Sequence, residues 1–229
     1  MLYHSQILTE ASGRIGGLVA SHNRGGAYFR AAVMPVNPGT VYQEAVRNIV
    51  GQLAVLWSDT LTEAQRAGWV NYANNVPVTN RIGDARYLTG LNMYTRCNTA
   101  RVQAAMDRID DAPVIFNLGS YTAPSFAASE ATQLISVTFD DTDEWCDLDG
   151  AAMLVYASRA ISPSIEYFKG PYRLAGAILG DSGTPPTSPQ TIALPFAAAE
   201  DQRLFFRANV TQDDGRYGEP FRGQCDCAA

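Results

Sequence analysis

Arg203-Leu204-Phe205-Phe206-Arg207-Ala208-Asn209-Val210-Thr211 is the stretch on which the fold turns. Successive side chains of an extended strand point to opposite faces, so Leu204, Phe206, Ala208 and Val210 share one side, and Arg203, Phe205, Arg207 and Asn209 share the other. The same period of two recurs upstream. Ile135, Val137 and Phe139 alternate with Ser136 and Thr138, and Met153, Val155 and Ala157 alternate with Leu154, Tyr156 and Ser158. Further strands are expected at Tyr172–Leu179, Thr191–Phe196 and near Tyr217–Arg222. Asp140 to Asp143, Asp181 to Pro186 and Asp213 to Arg216 supply turn chemistry between them. Six or seven short strands beyond Pro113 predict an all-β sandwich. With no Cys…Trp…Cys framework, fibronectin-like is a better label than immunoglobulin proper.

Upstream of Pro113 the period is helical. Thr40 with Gln43, and Thr62 with Gln65, are capping-box pairs that open helices over about 41–58 and 63–74. Val46, Ile49, Val50, Leu53, Leu56 and Trp57 recur along the first at helical spacing. A short link, Asp59-Thr60-Leu61, makes the two antiparallel neighbours. After a loop through Asn80-Arg81-Ile82-Gly83-Asp84, Thr89 caps a third helix expected over about 90–109, with Leu91, Tyr94, Cys97, Val102 and Met106 on its face. Residues 1–40 are rich in glycine. Two β-prone runs, Leu18–His22 and Ala27–Val33, flank Asn23-Arg24-Gly25-Gly26, which reads as a hairpin turn. The expected class is therefore α+β. A glycine-rich arm (1–40) precedes a three-helix assembly module (41–112) and an immunoglobulin/fibronectin-like sandwich (113–229).

Charge follows this division. The chain has 229 residues and a net charge of -6. Residues 1–112 carry ten arginines against eight carboxylates, a balance of +2, and residues 113–229 carry a balance of -8. A uniformly basic nucleic-acid coat is excluded, and no apolar run approaches the roughly 18–20 residues of a membrane span. The N-terminus has no basic region or apolar core of a signal peptide, and Cys97, Cys146, Cys225 and Cys227 are too few and too scattered for a disulfide scaffold. A reducing cytoplasm is the expected site of folding.

Chemistry-bearing motifs are scarce. His4 and His22 are the only imidazoles, and nothing local sets either beside a nucleophile and an orienting carboxylate. Gly13, Gly16 and Gly17 match no phosphate-cradling loop. Cys225 and Cys227 give half a metal site at most, so neither a metal nor a cofactor is expected. Asp140, Asp141, Asp143, Glu144, Asp147 and Asp149 could hold calcium, but their spacing departs from a calcium loop, and solvated turn aspartates are the commoner outcome. Asn209-Val210-Thr211 matches a glycosylation acceptor, idle without secretion. Arg14, Arg24, Tyr28, Phe29 and Arg30 form the candidate interface. Arginine and tyrosine suit an acidic protein surface, and in an acidic chain three arginines favour a protein partner over nucleic acid.

The run from Ser12 to Val19, with Asn23 to Arg30 and Pro35-Val36-Asn37-Pro38-Gly39-Thr40, resembles an uncharacterised family of structural proteins encoded in tailed bacteriophages and prophages. Leu61 to Trp69 and Val78-Thr79-Asn80-Arg81 are similar to the same group. The resemblance covers about the first hundred residues. It implies a non-enzymatic virion protein, assembled in the host cytoplasm as a homo-oligomer and contacting capsid or tail subunits. Capsid decoration or cement is the first placement. Tail, neck or baseplate accessory and host-glycan or receptor binding are the alternatives.

Overall fold

The computed structural model describes residues 11–23, 26–34, 36–79 and 85–229. Its contacts divide the chain into two units, residues 1–41 and residues 42–229.

In the first unit β1 (Gly13–Ile15), β2 (Leu18–Asn23) and β3 (Gly26–Ala31) form an antiparallel meander. Leu18 pairs with both Ile15 and Ala31, and the second hairpin matches the sequence expectation over most of its length. Arg24 and Gly25, at the expected turn, lie outside the described residues. β1 was not expected. Gly16 and Gly17 turn the chain from it into β2, and Gly16 sits at φ 57°, where a side chain would be strained. Ala20 is the only buried side chain among the described residues of this unit.

The second unit takes in α1 (Val41–Asp59) from Tyr42 onward, and then α2 (Glu63–Asn75). The Thr62 capping box is complete: Gln65 N donates to Thr62 Oγ1 at 3.3 Å and Thr62 N donates to Gln65 Oε1 at 2.9 Å. Arg66 then donates to the Trp57 and Ser58 carbonyls, satisfying the open end of α1. The two-residue strands β4 (Val78–Thr79) and β5 (Ala85–Arg86) pair, and the loop residues 80–84 lie outside the described residues.

Thr89 caps α3 (Gly90–Gln103) as expected, with Asn92 N donating to its hydroxyl. The helix stops six residues before the expected end. Met106 N donates to the Arg101 carbonyl and Ala105 N to that of Val102, around Ala105 at φ 58°. This is a Schellman closure with alanine where glycine is usual. The chain then doubles back. Asn98 accepts from Ile109 N at 2.7 Å and donates to its carbonyl, while Arg101 Nε donates to the Asp107 carbonyl.

The remaining strands are β6 (Ser125–Ser129), β7 (Leu134–Thr138), β8 (Ala152–Ala157), β9 (Arg173–Leu179), β10 (Gln190–Ala193), β11 (Arg203–Thr211) and β12 (Phe221–Ala228). A one-turn helix, Glu144–Asp147, lies between β7 and β8. The seven strands follow one hydrogen-bonded order, β10-β7-β6-β12-β11-β8-β9, a large, mostly antiparallel and nearly barrel-like sheet, and with the three helices this makes the class α+β as expected. All its pairs are antiparallel except β12 with β6. The sheet curls until its edges approach: a Cβ on Gly176 of β9 would stand 2.9 Å from Ile192 Cγ2 of β10. A bulge at Val155/Tyr156 supports the curl. β6 had no expectation from the sequence. β12 begins where the last expected strand ended and runs through Cys225 and Cys227, so this pair belongs to the sheet rather than to a loose tail.

Inside the curl, Ile135, Val137, Trp145, Met153, Val155, Leu204, Phe206, Ala208 and Val210 make one core. Phe126 stacks on Phe206 at 4.8 Å, over Gly223, where a Cβ would stand 2.6 Å from the Phe126 ring. The other face of β8 presents Ala152, Leu154 and Tyr156 to the helices, whose Leu53, Trp69, Tyr72, Met93, Tyr94 and Cys97 complete a second core. Trp69 and Tyr94 meet edge to face at 5.5 Å, and Trp69 Nε1 donates to the Asp110 carbonyl. Helices and sheet therefore share a core. Pro113 marks a change of secondary structure, while the break in packing falls at residue 41.

Candidate functional site

The interface residues expected from sequence lie on the meander, apart from Arg24, which lies outside the described residues. Cross-strand partners share a face, so the register assigns Arg14, Val19, Ser21, Tyr28 and Arg30 to one side of this sheet. Ile15, Leu18, Ala20, His22 and Phe29 take the other. Tyr28 and Phe29, both expected in the interface, are separated by the pleat. One face is thus cationic and phenolic, with Arg14 and Arg30 exposed and Arg14 Nε donating to the Gly16 carbonyl at 3.0 Å. The other is apolar, yet Ile15 is 81% exposed and Leu18 54%. Val33, Met34 and Val36 continue the exposed apolar run beyond β3.

A second feature lies in the larger unit and has no signal in the sequence. Arg207 and Asn209 alternate with apolar residues on β11, a pattern that reads as a solvated face. Instead they form part of a cleft of about 630 Å³ within residues 42–229, which α1 and α3 also line. The Arg207 guanidinium lies 4.5 Å over the Tyr156 ring and 6.0 Å from the centre of Tyr172. Arg96, from α3, lies 5.2 Å over Tyr217 and 4.0 Å from Glu219. Lys169 is exposed at the rim. Burial pushes the Tyr156 and Tyr217 hydroxyls above the ordinary phenol range, so both stay protonated at neutral pH. Asn209 is 2% exposed. Its Nδ2 donates to the Gly218 carbonyl at 2.9 Å, and its Oδ1 has no partner. Arg207 Nε and Thr99 Oγ1 are likewise buried without a partner.

The acidic connection is used locally. Asp140 accepts from Thr142 N and Oγ1, Asp143 from Thr122 N, and Asp149 from Ser182 N and Oγ. These bonds favour the ionised forms of Asp140 and Asp149, holding both carboxyls below their ordinary range. Partial burial outweighs the bond at Asp143 and raises it. Among the described residues, no three His, Cys, Asp or Glu side chains converge as metal ligands would. His22 is exposed on β2, and His4 lies outside the described residues. The four thiols are free, and burial raises Cys97 and Cys146 to about 12 and Cys225 to about 11, which makes them poor nucleophiles. No helix is long and apolar enough to cross a membrane among the described residues.

No family model, curated protein or solved structure matches the chain.

Proposed function

We propose that this is a non-enzymatic structural protein of a phage virion, a capsid decoration or cement protein that docks through residues 1–40 and displays the remainder. The observation carrying this reading is the meander over Gly13–Ala31, an amphipathic sheet whose apolar face leaves Ile15 and Leu18 in water. Three short strands rarely hold together alone without a covered apolar face. A capsid subunit supplies that cover, and Arg14 and Arg30 on the opposite side suit acidic groups of the same lattice. The resemblance of Ser12 to Arg30 to tailed-phage proteins supports the same placement, and the symmetry of such lattices makes a homo-oligomer the expected state.

The displayed part is immunoglobulin-like in this reading. Strands β7 and β6 pack against β8 and β11 across a common apolar layer, as facing sheets do, with β12 joining the two halves. Its acidic surface, near -8 beyond Pro113, resists nonspecific adhesion.

The test is incorporation. Particles assembled with a chain lacking residues 1–40 should lose the protein on gradient purification, while the truncated chain keeps its circular-dichroism spectrum and melting temperature. A truncated chain that still copurifies with particles at full copy number would remove the docking arm from the proposal. Hundreds of copies per particle would support capsid or tail-tube placement, and a few would move the protein to a vertex, neck or tail tip.

A further inference from the structure

The cleft between the helices and β11 carries chemistry that a display domain does not require. Three cations line it, Arg96, Lys169 and Arg207, against one carboxylate, Glu219, in a chain whose net charge is -6. Its volume of about 630 Å³ falls within the roughly 300–1,000 Å³ of small-molecule sites. Two of its buried groups are complementary to different things. Arg207 Nε needs an acceptor, and Asn209 Oδ1 needs a donor, because its own amide nitrogen is already committed to Gly218. They stand two residues apart on one strand, hence on the same face, and the Thr99 hydroxyl adds a group able to play either part.

A ligand that answers all three must carry an anion and hydroxyl donors together. Inorganic phosphate answers the cations and at neutral pH brings one or two hydroxyl donors, but it is too small to reach Arg207, Asn209 and Lys169 together in a cleft of this size and has no ring to lie against a tyrosine. A neutral sugar answers Asn209 and leaves the cations without an anion. Tyr172, and Tyr42 with the Arg173 guanidinium 4.7 Å from its ring centre, add aromatic rings to the cleft lining. We propose that this cleft binds an acidic saccharide, its carboxylate held by Arg207 and Lys169 and its ring hydroxyls by Asn209 and Thr99. The inference does not depend on the virion reading, and a chain that never enters a particle could still show it.

The experiment is calorimetric titration of the full chain with glucuronic acid and with trigalacturonate, alongside glucose and inorganic phosphate. The acidic sugars should bind saturably and at least tenfold more tightly than glucose or phosphate, since one lost charge-assisted contact is worth about a factor of ten. A tighter trimer would mark a polymer as the source, and equal affinities a single terminal residue. Either supports the cleft. Arg207→Lys keeps the charge but changes the planar fork, and should weaken binding about tenfold. Lys169→Gln, on an exposed residue, should weaken it about threefold without disturbing the fold. The proposal is overturned by no detectable binding of either acidic sugar at about 10 mM. It is equally overturned by phosphate binding as tightly, or by affinities unchanged in both variants.

Discussion

The meander of residues 13–31 and the curled sheet of residues 125–228 are built from the same device, antiparallel strands with one apolar and one polar face. In the curled sheet, both faces of β8 are covered by the chain itself, by β6 and β7 on one side and by α2 and α3 on the other. In the meander, Ala20 alone is buried among the described residues, and Ile15 stays 81% exposed. Alternation thus specifies a face and leaves open what covers it. In the larger unit the cover is internal and yields stability. In the smaller one an external cover would yield binding.

If stability resides in the larger unit, its helix-side core should show the largest effect. Trp69→Ala removes the fully buried ring at the centre of the α2–α3 contact and should cost about 3–5 kcal/mol in urea unfolding, or prevent folding. Next is the tie between helix and sheet. Arg101 is 3% exposed, and its Nη1 donates to Thr211 Oγ1 at 3.1 Å and to the Gln212 carbonyl at 2.9 Å. Arg101→Ala should cost about 2–4 kcal/mol, because buried acceptors lose their donor. A cost below about 0.5 kcal/mol would mean that helices and sheet are not one cooperative unit.

Alkaline pH probes the same core more gently. Burial raises the Cys97 thiol to about 12 from an ordinary value near 9.0, so the folded state keeps a proton that the unfolded state releases. Stability is then full below pH 9 and falls as pH rises toward 12, by about 1.4 kcal/mol per pH unit from this thiol once well above pH 9. Tyr94, raised to about 12 by burial and by Asp110, works in the same direction from pH 10. The urea midpoint measured from pH 8 to pH 10.5 should decline accordingly, and Cys97→Ala should flatten the lower part of the decline.

Smaller still, Ala105→Gly should stabilise the chain by about 0.5–1 kcal/mol, since glycine adopts the left-handed end of α3 without strain. Smallest is the double change Ile15→Ser with Leu18→Ser. It should move the unfolding free energy by less than about 0.5 kcal/mol, as Ile15 is mostly exposed and Leu18 about half exposed. The same variant should reduce incorporation into particles. A loss of several kcal/mol instead would show that the meander's apolar face belongs to the protein's own core.

Helix starts were legible because their signals are local. Thr62 with Gln65, and Thr89 ahead of Gly90, cap their helices through bonds spanning three residues. The centres of β7, β8 and β11 were legible for the same reason, since a period of two needs no knowledge of neighbours. The end of α3 was not, because it depends on Ala105 taking a conformation that alanine rarely adopts, held by Asn98 and Arg101 reaching past the helix. Strand β6, Ser-Phe-Ala-Ala-Ser over Ser125–Ser129, has too little alternation to announce itself and exists through its pairing with β7 and β12.

Of the two candidate sites, the meander's residues could be picked out from composition, while their division between faces required the register. The cleft could not be found at all: nothing in Arg207 and Asn209 distinguishes them from solvated strand residues. Read alone, the chain settles which segments are helical or extended and how charge is shared between them, because those follow from interactions within a few residues. Which faces are covered, that seven strands join into one curled sheet, and that polar residues of β11 end beneath helices follow from packing between residues distant in the chain, such as Ala128 with Cys227 in the sheet and Arg101 with Thr211 between helix and strand.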